Sequence, residues 1–243
     1  MKRILYTIGL LWACAMTQAQ TLLPPVWQGS ADVQYSSRTI AYLPPTRIVW
    51  QETTGSSSIE GIDKLLLPGN GQAELVGGKE CVIRKRPDGK VSFLLDFGRE
   101  LQGGIQIVTG QSSRKEAKVR IRFGESVSEA MCDITPENGA TNDHAIRDFH
   151  FTLPWLGVAE IGNSGFRFVR IDVEEPDIDL LLKEVRATFG YRDIPYLGSF
   201  KSDNDRLNDI WMTGAYTVHL NMQEYIWDGV KRDRLVWIGD LHP

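Results

Sequence analysis

The chain has 243 residues, 42% hydrophobic and 24% charged, with a formal net charge of −4. That is the composition of a globular protein long enough to bury a sizeable core, with no repeat or low-complexity tract. The mild acidity argues against a nucleic-acid partner, which would require a basic stripe or patch.

Met1-Lys2-Arg3 followed by the apolar run Ile4–Met16 reads as a secretory signal, too short to span a bilayer. Thr17-Gln18-Ala19 offers a small-residue cleavage site, so residues 1–19 are expected to be a signal peptide. The mature chain would be exported, to the periplasm or the cell exterior. Leu11-Trp12-Ala13-Cys14 loosely imitates a lipoprotein-processing site, although Trp12 fits it poorly. After cleavage, Cys81 and Cys132 remain. An oxidising compartment would permit them to pair, and they could equally be free thiols. His144, His150, His219 and His242 are scattered, and no metal-ligand spacing is present, so no metal and no other cofactor is expected.

From residue 20 to about 195 the pattern is β. Runs rich in Val, Ile, Phe and Thr recur at Thr39–Tyr42, Ile48–Gln51, Glu80–Arg84, Val91–Phe97, Gly104–Val108, Lys118–Phe123, Ile146–Leu153, Phe166–Val173 and Leu182–Tyr191. Val119, Ile121 and Phe123 fall on one face of their run, with Lys118, Arg120 and Arg122 on the other. A phase break near Val169-Arg170 suggests a bulge. Pro87-Asp88-Gly89-Lys90 is a hairpin signal, and Gly69-Asn70-Gly71, Gly77-Gly78 and Gly103-Gly104 mark further turns or bulges. About ten short strands without helical pattern between them predict a mainly β fold, an antiparallel, jelly-roll-like β-sandwich. Ser128–Asp143, with Pro136 and Asn138-Gly139, reads as a long surface loop.

Beyond residue 195 the period changes. Ser202-Asp203-Asn204-Asp205 is a helix-start cluster, with Ser202 as the expected N-cap. Leu207, Ile210, Trp211, Gly214, Val218 and Met222 recur at three- and four-residue steps, predicting a helix from about Asp203 to Gln223. Its apolar stripe must be buried on the sandwich or against further helices.

The last stretch, Tyr225 to Pro243, packs Asp, Arg and Trp around two glycines. An indole face takes the apolar side of a sugar ring, while carboxylates and guanidinium forks take its hydroxyls. The blander reading is a solvated charged loop with Trp227 and Trp237 tucked into a core. Asp228-(x)3-Arg232-Asp233-Arg234-Leu235-Val236-Trp237-Ile238-Gly239-Asp240 resembles the signature of the family 78 glycoside hydrolases, the bacterial α-L-rhamnosidases. Asp96–Gly104, Arg122–Ser126 and Gly165–Arg170 are similar to segments of the β-sandwich that precedes that family's catalytic domain.

The resemblance implies residues 20–195 as the sandwich and 196–243 as the start of an (α/α)6 barrel, broken off after its first helix. It also implies inverting hydrolysis of terminal α-L-rhamnosides. One carboxylic acid protonates the leaving oxygen, and a second carboxylate, roughly 6.5–9.5 Å away, activates water. In the family the acid is a Glu between an Arg-Asp pair and an Arg. Here Arg234 follows Asp233 directly, so that Glu position is deleted and Asp233 becomes the candidate acid. Flanking guanidiniums aimed at Asp233 would oppose that role. Asp228, Arg232, Trp237 and Asp240 match sugar-contacting positions of the motif. The general base is expected beyond residue 243, leaving this chain inactive alone. Tyr225 and Trp227 match no motif position and read as packing residues. Glu100, Glu125 and Asp96 read as strand-end carboxylates bonded to loop backbone. The alternative function is a non-catalytic carbohydrate-binding sandwich. In either case the partner is a carbohydrate, a rhamnose-containing glycan or glycoside.

Overall fold

The computed structural model describes residues 38–75, 77–78, 80–135, 137, 147–231 and 233–241. The expected signal peptide, Cys14, Arg232 and residues 136 and 138–143 of the expected loop lie outside them. The described residues fall within one compact unit, Ser37–Pro243.

Three long strands organise this unit: β5 (Val91–Thr109), β8 (Gly157–Val173) and β9 (Ile178–Arg192). The first half of β5 pairs with β2 (Arg47–Thr53) on one side and with the second half of β8 on the other. Its second half pairs with β9 and with the first half of β8. Between the halves the β5–β8 ladder is interrupted from Asp96 to Leu101, where Gly98 takes φ 86. A side chain rarely tolerates that backbone, and glycine does. Both strands thus pass from one layer of the sandwich into the other. β6 (Glu116–Gly124) and β7 (Asp148–Pro154) extend the layer that contains β2. β4 (Cys81–Lys85), β3 (Ser58–Glu60) and β1 (Arg38–Leu43) extend the layer of β9. Every pairing is antiparallel.

One apolar cluster fills the space between the layers, drawing Ile83 from β4, Phe93 and Ile107 from β5, Val119, Ile121 and Phe123 from β6, Ile171 from β8 and Val185 from β9. Phe166 sits edge-on to Phe97 (5.6 Å) and to Phe123 (5.0 Å), where β5 and β8 cross between layers. Such perpendicular aromatic contacts add to the burial of the rings themselves.

Several local expectations change in this context. Pro87–Lys90 is no hairpin: β4 pairs with β3 and β9, whereas β5 pairs with β2, β8 and β9, so the turn carries the chain between layers. Val91–Phe97 and Gly104–Val108 are one bent strand, with Gly103 inside it. In β8 the register is regular at Val169-Arg170, and the phase break lies upstream, between Phe166 and Phe168. Arg122 lies on the face opposite Val119, Ile121 and Phe123, as the alternation predicts, yet it is 3% exposed and donates to Asp133 and Asp172 at 2.8 Å each. The expected loop at 128–143 begins inside a short helix, α1 (Val127–Met131), whose N-cap Ser126 accepts from the Glu129 N–H. Cys81 and Cys132 are both free thiols; burial pushes the Cys81 thiol up to about 12.

After β9 comes one longer helix, α2 (Asp205–Asn221). Its N-cap is Asn204, whose side chain accepts from the Arg206 N–H, rather than Ser202. The expected apolar stripe faces away from the sandwich: Leu207, Ile210 and Val218 are 46%, 58% and 56% exposed. Among the described residues no helix is long and apolar enough to cross a membrane.

Candidate functional site

The helix docks through a few polar anchors. The Tyr216 hydroxyl donates to the Glu100 carbonyl at 2.5 Å, and the Arg99 guanidinium lies over the Tyr216 ring. His219 Nε2 meets the Arg192 carbonyl at 2.6 Å, while Leu220 supplies the buried apolar contact. Just past the helix, Gln223 is fully buried and donates to the carbonyls of Gly190 and Leu220. These contacts tie α2 to the end of β9 and to the bend of β5.

The motif segment then folds back over the sandwich. Asp228 closes it into a loop: its backbone N–H donates to the Leu235 carbonyl at 2.9 Å, and its carboxylate accepts from the Leu235 N–H and from Trp237 Nε1, both at 3.0 Å. Val230 is buried against Gly165. Lys231 pairs with Glu125 at 3.2 Å and with Glu129 of α1. Arg234 donates to the carbonyls of Val230 and Asn163 and lies over the Trp227 ring at 5.2 Å. Its guanidinium is thus held by backbone carbonyls and an indole. Asp233 and Arg234 both have left-handed backbones, with φ of 67 and 51, an uncommon state for residues with a Cβ.

Between loop, helix and sandwich lies an open groove of about 890 Å³, lined by Glu100, Glu125 and Arg167 from the sandwich side, Thr213 and Tyr216 from α2, and Asp228, Lys231 and Asp233 from the motif. A second groove of about 690 Å³ abuts it, sharing Gly98, Arg99 and Tyr216 and adding Phe189, Tyr191, Tyr196 and His219. Of the catalytic and sugar-contacting candidates of the motif, Asp228 and Asp233 line the first groove. Trp237 is 53% exposed and held by Asp228 rather than lining the groove. Asp240 lies in a 3-10 turn, Ile238–Leu241, of which only its backbone is described. Arg232 lies outside the described residues.

Glu100 and Glu125 depart from their sequence reading. Glu125 pairs with Lys231. The Glu100 Oε1 is buried and accepts no hydrogen bond. Burial pushes the Glu100 carboxyl up to about 8; Glu125 and Glu129 add to the rise, and Lys231 and Arg167 oppose it. Asp96, at the same bend, goes the other way. Its burial is outweighed by the bidentate Arg167 (2.8 and 3.0 Å), the Gly98 N–H (2.7 Å) and Arg47 (2.7 Å), which hold it at about 2. Asp96 does bond loop backbone, as expected from the sequence, but it is chiefly an ion-pair hub.

No family model and no curated protein sequence matches the chain. Solved structures do match. The rhamnosidase of Klebsiella oxytoca, solved with rhamnose bound, superposes with a TM-score of 0.59 at 19% identity, over 84% of this chain and 39% of that one. The family 78 rhamnosidase of Bacillus sp. GL1 gives 0.58 at 19% identity, over 73% of this chain and 17% of that one. The chain shares a fold with these rhamnosidases. It spans well under half the length of either. In this rhamnosidase-like fold the groove lies where the sandwich, its following helix and the motif loop meet.

Proposed function

We propose that this chain is the sandwich and first helical segment of an exported glycoside hydrolase resembling the α-L-rhamnosidases, acting on terminal α-L-rhamnosides. The observation that carries the reading is the convergence of Asp228 and Asp233 on one groove within a fold shared with rhamnosidases. Residues 1–19 are read as the export signal, 20–195 as the sandwich, and 196–243 as the opening of an (α/α)6 catalytic domain.

In this reading Asp233 protonates the leaving oxygen. A carboxylate from a part of the enzyme outside these residues activates water on the opposite face, so the reaction inverts the anomeric centre. Arg234 donates to the carbonyls of Val230 and Asn163 and lies over the Trp227 ring, which fixes the backbone that carries Asp233. Asp228, Arg232, Trp237 and Asp240 are read as sugar contacts. For Asp228 the contact falls on a carboxylate already holding the loop closed, so binding and loop geometry are coupled there.

The test is titration of the chain with methyl α-L-rhamnopyranoside, followed by protein NMR. Shifts confined to groove residues, absent with methyl α-D-glucopyranoside, are the expected result. Shifts elsewhere, or none, would remove the groove from sugar recognition.

A further inference from the structure

We propose that Glu100 is a further sugar-contacting residue of this groove, donating a hydrogen bond from its carboxyl group to a hydroxyl of the bound sugar. The inference rests on the carbohydrate reading above and adds a residue outside the motif at 228–240. Glu100 stands at the bend of β5 and lines the groove together with Asp228 and Asp233. Its backbone is pinned from the opposite wall by the Tyr216 hydroxyl at 2.5 Å. Its side chain is packed closely: a Cβ added at Gly165 would lie 2.9 Å from Glu100 Oε1 and 2.5 Å from Val230 Cγ2. A side chain at residue 165 would displace either the carboxyl group or the motif loop.

A glutamate kept only to brace a strand bend would bond nearby N–H groups, as Asp96 does with Gly98. Glu100 does not; its Oε1 is buried with no donor. That suits the carbonyl oxygen of a neutral acid far better than half of a carboxylate, because an unpaired charge costs more to remove from water than an unpaired carbonyl. The neighbours that face it act in the same sense. Burial and the carboxylates of Glu125 and Glu129 outweigh Lys231 and Arg167, and the group stays protonated up to about pH 8. Sugar hydroxyls both donate and accept. Asp228 and Asp233 offer acceptors in the groove, and a neutral Glu100 offers an O–H donor beside them.

Binding of methyl α-L-rhamnopyranoside to the 243-residue chain, measured by calorimetry between about pH 6 and about pH 9, tests this. Wild-type affinity is expected to fall about threefold to tenfold as Glu100 ionises. Glu100→Gln keeps an N–H donor and cannot ionise, so its affinity should stay level across the range. Glu100→Ala should lose about threefold to tenfold at the acid end. A flat wild-type profile, a Glu100→Gln profile that falls in step with wild type, or a Glu100→Ala chain that binds like wild type overturns the assignment. If a variant does not fold, the wild-type profile alone decides. A folded wild-type chain that binds no rhamnoside at any pH overturns the carbohydrate reading and this inference with it. Binding with a flat profile overturns this inference alone.

Discussion

Two successive side-chain-bearing residues in the left-handed region, Asp233 and Arg234, set the reach of the candidate acid. Each such residue costs of order 1 kcal/mol or more unless its surroundings hold it there. Here the Asp228–Leu235 bonds close the loop on both sides, and Arg234 is anchored on Asn163 and Trp227. The tight turn brings a carboxyl one methylene shorter than glutamate onto the groove wall. In the proposed hydrolase, Asp233→Asn is expected to lower turnover by about a hundredfold or more while leaving sugar affinity nearly unchanged. Turnover close to wild type would take Asp233 out of the mechanism. The motif marked these residues in the sequence. The backbone conformation that aims them did not show, because a left-handed Asp is only modestly favoured by its residue type and a left-handed Arg not at all.

At the scale of elements, α2 shows how far periodicity reaches. The three- and four-residue spacing locates the helix to within two residues at each end, since that spacing reflects the helix itself. The spacing left open whether the stripe meets the sandwich or further helices: Tyr216, His219 and Leu220 dock on the sandwich, while Leu207, Ile210 and Val218 stay exposed. Hydrophobic pattern identifies faces that must be covered, not which neighbour covers them. The dock depends on single polar bonds, so it is sensitive to their removal. Tyr216→Phe should cost about 1 kcal/mol. The loss should appear as faster hydrogen exchange in α2 with the sandwich amides unaffected. Uniformly faster exchange would mean that helix and sandwich open as one unit instead.

Across the whole molecule, two carboxyl groups at the same bend of β5 pull stability in opposite directions with pH. Asp96 has its folded pKa depressed to about 2, so its contribution is complete above the ordinary aspartate value and is lost as pH falls through about 2. Glu100 has its folded pKa raised by burial to about 8, well above the ordinary glutamate range. The folded state holds a proton that the unfolded chain has released, and stability declines as pH rises across that interval. Thermal unfolding should therefore show its highest midpoint on the acid side of neutral, near pH 4 to 5 from these two groups. Glu100→Gln should abolish the alkaline decline and leave the acid limb untouched. A wild-type midpoint that is level from pH 5 to 8, or a Glu100→Gln chain with the same decline, would contradict the protonated state of Glu100.

What the sequence determined by itself is the class of the main segments: alternating runs made strands, three- and four-residue spacing made α2, and the Asp/Arg/Trp cluster marked a candidate site near residues 228–240. These are local properties, written in nearest-neighbour chemistry. The tertiary structure decided which strands pair, so that the Pro87–Lys90 turn crosses between layers and two expected strands fuse into β5. It also buried Arg122 between two aspartates and bonded Arg234 to the carbonyls of Val230 and Asn163. Glu100 was set on the groove wall by the same means, through a bend 60-odd residues from Gly165 and more than 100 from Tyr216 along the chain. Partners so far apart leave no local pattern, because long-range contacts form only when the two layers close on their common core.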